Sequence, residues 1–545
     1  MADGNVNTLL DDHVTLRYEG VDRLILNGYV PMLQTPDGLA RFLAGKPGEE
    51  IPRYAILGER TAALNRAIER FAEVDAIPLV HFAKGQRKED IARPYLEVAE
   101  REGREGVVLI GIAQERAEVF RPPAVRDRVP GRYAARRTSA FINHVYFYLF
   151  DRDVGPAFIK VCTYAPWSLR VWCNGHGWAR RRLEGRHIGY QSLDNGFAAV
   201  DDRRALQTAC DGFSAAAIER FVRRWLGRLP SPFTPADREA GYRYELSVSQ
   251  LEVSRTEVFD RPLHGRAFFE SVISDQLDLG RPEKLQLLFE HRILRNRSAP
   301  FRTRVFGAGA QPSLEVEHRH TKIKQYWKLD RALRTETVIN DAYDFGIGRR
   351  LANLAALVEV GQAINGRLLA LERDAQRCTP AAATFEALVA PSGPPERRAP
   401  GLRFGDPRVV ALFGALADFR WAAGDIRSAP LRALVEHLLG APYGQRQMAY
   451  DLRRLVRKGL LERIPHTFRY RLTELGRRLV LFCVKLYGRI LGRGLARLDQ
   501  AQVPNALRTA WQAFEREIER LIADARLEPA PKVGSSVRIS RPEVV

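Results

Sequence analysis

Leu452-Arg-Arg-Leu-Val-Arg-Lys-Gly-Leu-Leu-Glu-Arg463, followed by Phe468-Arg-Tyr-Arg-Leu472 and Thr473-Glu-Leu-Gly476, is the stretch that decides how the C-terminal region is built. Apolar residues at three- and four-residue spacing predict a helix over Arg446 to Gly459, with Gly459 placed as its stop. Leu460 to Ile464, the turn Pro465-His-Thr467 and Phe468 to Leu472 then read as strand, tight turn and strand. Two more helical patterns precede them, Val409 to Arg420 and Ser428 to Leu439, and Arg477 to Leu491 carries another.

Three helices, a two-stranded wing and a trailing helix are the plan of a winged helix. The stretch resembles the winged-helix modules of bacterial transcriptional regulators, and the resemblance implies docking on nucleic acid. On the third helix Met448, Leu452, Leu455 and Val456 can face a core. That leaves Arg446, Gln447, Tyr450, Arg453, Arg454, Arg457 and Lys458 for a groove and its flanking phosphates, with His466, Arg469 and Arg471 on the wing.

Composition agrees with such a partner. Across 545 residues the formal net charge is +20, with hydrophobic residues at 45%, so the chain is globular and its surplus cations suit a polyanion. DNA is the expected partner and RNA the alternative. Cys162, Cys173, Cys210, Cys378 and Cys483 have no Cys-x-x-Cys spacing, which argues against a zinc ribbon or a disulfide framework. With no signal-peptide pattern and no long apolar run, the expected location is the cytoplasm and no membrane partner is expected. The sequence says nothing of the oligomeric state.

The expected fold class is α+β multidomain: an N-terminal small α/β unit over 1–121, a central mixed antiparallel sheet with helices over 138–389, and a C-terminal winged helix. A Pro- and Gly-rich linker over 390–402 precedes the winged-helix domain with its trailing helices, 403–531, and 532–545 reads as a disordered tail. Within the first unit, residues 13–34 hold two short β-like runs and Pro36 to Ala44 a helix. Helix over Thr61 to Val74, strand over Ile77 to Phe82 and strand over Val107 to Ile112 follow, with Gln114 to Phe120 read as helical. His144 to Phe150, Ala157 to Tyr164 and Leu169 to Cys173 form an antiparallel meander. Asn174-Gly-His-Gly-Trp178 reads as a turn with an exposed histidine, and Asp151-Arg-Asp153 as turn chemistry in preference to a metal pair.

The candidate chemistry lies between Leu314 and Asp344. If Leu314 to Trp327 runs as a strand, His318 and His320 share a face with Lys322, Lys324, Tyr326 and Lys328. The spacing Lys-x-Tyr-x-Lys with Leu333-Arg-Thr-Glu336 resembles a strand pair of rolling-circle replication initiators. That resemblance implies His318 and His320 as metal ligands for Mg or Mn, and His318, His320, Tyr326 and Glu336 as catalytic residues. Arg319 between the histidines departs from the hydrophobic residue of that pattern. The plainer reading is a basic strand in which Lys322, Lys324 and Lys328 hold a nucleic-acid backbone.

Over most of its length the chain is also similar to a bacterial family of hypothetical proteins, through Val21 to Pro31, His81 to Asp90, Ile323 to Tyr326 with Arg331 to Thr337, and the winged-helix region. That likeness carries no chemistry. Two functions follow from the sequence: a DNA-processing protein of mobile-element or replication type, or a non-enzymatic DNA- or RNA-binding regulator or scaffold.

Overall fold

The computed structural model describes residues 9–44, 55–121, 135–279, 301–308, 311–376, 382–394, 398–403 and 405–487, with five isolated residues between 509 and 520. Residues 1–484 form one compact unit, and the chain from Lys485 onward forms another, most of it outside the described residues, as are the tail 532–545 and the end of the last predicted helix.

The first unit opens with α1 (Leu9–Asp12) and the long strand β1 (Val14–Tyr29). Helices α2 (Pro36–Ala44) and α3 (Ala55–Val74) lead to β2 (Leu79–His81), α4 (Lys88–Glu102) and β3 (Gly106–Arg121). The meander β4 (Arg136–Asp151), β5 (Gly155–Cys162) and β6 (Leu169–Cys173) follows. Next come α5 (Gly175–Glu184), the hairpin β7 (Tyr190–Ser192) and β8 (Phe197–Val200), α6 (Arg203–Asp211), α7 (Ala215–Leu226) and α8 (Pro235–Glu239). Strand β9 (Glu245–Phe259) and α9 (Pro262–Leu279) precede the second meander: β10 (Phe301–Ala308), β11 (Gln311–His318), β12 (Thr321–Lys328) and β13 (Ala332–Ile339).

These strands make one eleven-stranded sheet in the order β10-β11-β12-β13-β9-β1-β6-β5-β4-β3-β2, antiparallel except for β2 beside β3. The segments 1–121 and 138–389 therefore share one sheet. β1 is its hinge, pairing with β9 along its whole length and with β6 along its second half.

The two short runs expected over 13–34 are one bulged strand. Between Val21 and Arg23 the register with β9 shifts, and Asp22 is the extra residue. A bulge reverses which alternate residues face which side. Leu16 and Tyr18 accordingly join the core under α5 and α6, on what we call face B, whereas Leu24 and Leu26 join the larger core on the opposite face A. The stretch Gln114 to Phe120, expected as helix, continues β3, because it pairs residue for residue with Asn143 to Arg137 of β4. Cross-strand pairing outweighs local propensity there.

Helices α2, α3 and α7 and the start of α10 (Leu354–Gln376) pack apolar residues on face A around Leu24, Ile159, Val171 and Leu251. Farther along face A, α9 and the rest of α10 bury Ile323, Trp327 and Leu333. The segment Leu351–Ala375 is long and apolar enough to cross a membrane by length and composition, yet Asn365 in it bonds Val253 O at 3.0 Å and Thr337 Oγ1 at 2.7 Å on the sheet. On face B, α4 covers β3 to β5, and α5 and α6 cover the first half of β1. Between them Arg23, Arg170 and Asn340 stay exposed.

The C-terminal part comprises α11 (Ala382–Val389), α12 (Pro407–Leu416), α13 (Arg420–Ala423), β14 (Ile426–Arg427), α14 (Ser428–Leu439), α15 (Gln445–Arg457), β15 (Leu461–Arg463), β16 (Arg469–Leu472) and α16 (Glu474–Leu486). Its strands pair in the order β14-β16-β15, and Met448, Leu452 and Leu455 share its core with Leu431, Val435 and Leu479. The described part of the 390–402 segment is tied down: Ser392 and Ala399 pair as a β-bridge, and Leu402 N bonds Leu388 O at 3.0 Å.

Candidate functional site

On face B, where β1, β9, β13 and the start of α5 meet, the sheet buries a cluster of polar side chains. The bulge supplies Asp22. Its Oδ1 accepts from Ser254 Oγ at 2.7 Å and from Arg334, and it lies against His176 Nε2. Arg334 is 0% exposed; its Nε stands 2.9 Å from Glu336 Oε1, its Nη2 lies 2.8 Å from His176 Nε2, and its Nη1 donates to the Asn195 carbonyl.

Local sequence explains the roof. Asn174 caps α5 by accepting from His176 N at 2.8 Å, and its amide bonds Asn195 Oδ1 at 2.7 Å, which draws the β7–β8 turn over the cluster. Gly196 in that turn permits the approach, since a Cβ there would come within 2.6 Å of the Tyr18 hydroxyl and 3.0 Å of Arg334 Nη1. Lys328 bonds the same Asn195 carbonyl at 3.2 Å and pairs with Asp194 at 3.3 Å.

Beyond the roof, face B opens. Asp22, Glu252 and Glu336 each present a carboxylate oxygen, all within 4.8 Å of one another. Tyr326 donates to Glu336 Oε1 at 2.7 Å, Arg23 reaches Glu252 at 3.6 Å, and Lys322 pairs with Glu315 at 2.5 Å. Lys324 lies between the Glu336 and Glu315 positions of the neighbouring strands and, among the described residues, forms no ion pair.

The charges are unequal. Burial alone would raise Asp22, but Arg334 and His176 outweigh it and hold that carboxyl well below the usual range. Burial, and then the Asp22 charge, push Glu336 up to about 9, so Glu336 carries a proton at neutral pH. Burial lowers His176, which the Asp22 charge only partly offsets. Burial and then Glu336 raise Tyr326. Two carboxylates in one dry site thus hold one proton and one arginine, an arrangement that a divalent cation could replace in part.

No protein-family model, curated protein or solved structure matches the chain.

Of the expected catalytic residues, the fold brings Tyr326 and Glu336 together and keeps His318 and His320 from acting as a pair. Leu314 to Trp327 is a hairpin: His318 ends β11, Arg319 turns the chain with φ 53°, and His320 precedes β12. His318 is pushed down to about 4 by burial, then by Arg319, while His320 points to solvent with Asp344 at 3.3 Å and Asp341 at 4.0 Å. The expected metal pair His318 and His320 is therefore corrected. Lys328 is likewise a roof anchor rather than a strand-facing lysine, and Lys322 is ion-paired.

In the C-terminal part Arg446, Gln447, Tyr450, Arg453 and Arg457 lie exposed on α15. Arg454 does not: it is buried and donates to the carbonyls of Pro400, at 3.1 Å, and Gly401. Lys458 reaches Ala390 O at 2.7 Å and Ala387 O at 3.1 Å at the end of α11. Arg469 and Arg471 pair with Asp425 at 3.2 and 2.8 Å, and His466 stays exposed at the hairpin tip. Beside it stands Phe468, 80% exposed, with Arg463 over its ring at 4.9 Å.

Asp22, His176, Glu252, Ser254 and Arg334 were not legible as site residues. His176, expected in an exposed turn, is 1% exposed. The one signal was Asn174, a preferred N-cap residue just ahead of it.

Proposed function

We propose that the protein is a DNA-processing protein whose C-terminal part docks on DNA as a winged helix, while face B of the large sheet meets a strand. The observation that carries this reading is α15, whose open side presents Arg446, Gln447, Tyr450, Arg453 and Arg457. The order of elements supports it: helices α12, α14 and α15 followed by a hairpin with an exposed tip, with β14 closing a three-stranded sheet.

Asp22, Glu252 and Glu336 supply the hard oxygen donors that Mg2+ or Mn2+ takes, and such an ion would polarise a phosphodiester there. Lys324 and Arg23 would hold the phosphate, and Tyr326 would orient Glu336. A second reading, a non-enzymatic binder, draws support from Arg334, which already neutralises Asp22 and makes the cluster a self-contained ion network.

A gel-shift series on duplex DNA, joined to a nicking assay with and without Mg2+, tests both parts. The reading expects a shifted band for the wild type, and metal-dependent cleavage lost in Glu252→Gln. Binding without cleavage leaves the non-enzymatic reading, and absence of binding contradicts the proposal.

A further inference from the structure

A different cluster lies where the start of β1, the end of β9 and the first turn of α9 converge. His13 Nδ1 stands 3.0 Å from Asp260 Oδ2, and His264 Nδ1 stands 2.8 Å from Asp260 Oδ1. The imidazoles stack with centroids 3.6 Å apart and planes 30° apart, so both Nδ1 atoms face one carboxylate. All three donor groups fall within 4.8 Å of one another.

Backbone groups help to hold this geometry. Asp260 N donates to His13 O at 2.8 Å, and Arg261 N donates to Asp260 Oδ1 at 2.7 Å. His264 lies in the first turn of α9, four residues after Asp260, which sits just ahead of that helix. Their side chains are 31%, 36% and 23% exposed in the order His13, Asp260, His264, so solvent can reach the site.

We propose that His13, Asp260 and His264 form a site for a divalent first-row transition metal, with Zn2+ as the representative ion. Two imidazole nitrogens and one carboxylate oxygen are a donor set that zinc takes, and three protein ligands leave a position for water. The metal replaces the two Nδ1–H···O bonds: each neutral imidazole then carries its one proton on Nε2, and a doubly protonated ring releases its Nδ1 proton to solvent. The ion clips the start of β1 to the β9–α9 junction, which lies 247 residues farther along the chain. The site does not depend on the nucleic-acid reading above.

Calorimetric titration of the chelator-stripped full chain with ZnCl2 tests it, alongside CoCl2 followed by visible absorption. We expect one equivalent of zinc bound by the wild type and a rise in thermal midpoint reversed by chelator. His13→Ala and His264→Gln should each weaken this binding roughly tenfold or more, as changes at or beside metal ligands do. His320→Ala serves as the control for the His320, Asp341 and Asp344 group and should leave the equivalent in place. Circular dichroism of the metal-free variants checks that they fold. The proposal is overturned if the wild type binds zinc no more tightly than His13→Ala, or if the bound equivalent is lost with His320→Ala instead.

Discussion

Cations on the sheet and cations on α15 sit in opposite surroundings. On the sheet Lys322 faces Glu315, Lys328 faces Asp194 and Arg334 faces Asp22, so these three charges each meet a carboxylate within the fold, and Lys324 is the exception among the β12 lysines. On α15 Arg446 and Arg457 form no ion pair among the described residues, and Arg453 bonds only the Ala449 carbonyl of its own helix. A net charge of +20 therefore says little by itself about where an anion would bind. What matters is which cations the fold leaves uncompensated. Arg453 and Arg454 make the point at adjacent positions, one exposed and one buried against the 400–401 carbonyls.

Breaking the sheet side of this comparison should have the largest effect. Arg334→Met leaves Asp22 buried without its cation, and urea unfolding should register a loss of about 3–5 kcal/mol. A loss under about 1 kcal/mol would mean that Asp22 finds another partner. Arg454→Ala should cost about 1.5–3 kcal/mol through its lost carbonyl bonds, whereas Arg453→Ala should change stability by less than about 0.5 kcal/mol, as surface changes do. Thermal melts of the two single variants side by side make that contrast, and equal losses would erase it.

A smaller effect concerns pH. Burial raises Glu372, under face A beside Gln325, to about 8, and burial with Asp22 raises Glu336 to about 9. Both carboxyls sit near 4.3 in the unfolded chain. Between these values the native state holds more protons than the unfolded one, so stability falls as pH rises from about 4.5 toward 9. Glu372→Gln keeps an acceptor for Gln325 and should flatten part of that decline in melts run from pH 5 to 9. An unchanged slope would place the titration elsewhere.

The contrast also separates what the sequence disclosed from what it concealed. α14 and α15 were readable because an amphipathic helix repeats its pattern locally, and Gly459, at φ 70°, marked the stop. The polar cluster was not, because its members come from β1, α5, β9 and β13 and meet only through strand register. Asp22 was hidden by its own bulge: Leu16, Tyr18, Leu24 and Leu26 are all even-numbered, yet they enter two cores. The alternation of His318 and His320 looked like a strand face, and the turn at Arg319 undid it. The adjacency of Tyr326 and Glu336 was readable because alternation held through β12 and β13, where no bulge intervenes.

The most direct test of the account is the salt dependence of duplex-DNA affinity for the wild type and for Arg446→Ala/Arg453→Ala/Arg457→Ala. Each phosphate contact contributes roughly 0.9 to the slope of log affinity against log salt. The account predicts weaker binding and a slope shallower by about 2–3 in the triple variant, with its thermal midpoint unchanged. Wild-type affinity and slope in that folded variant would contradict it.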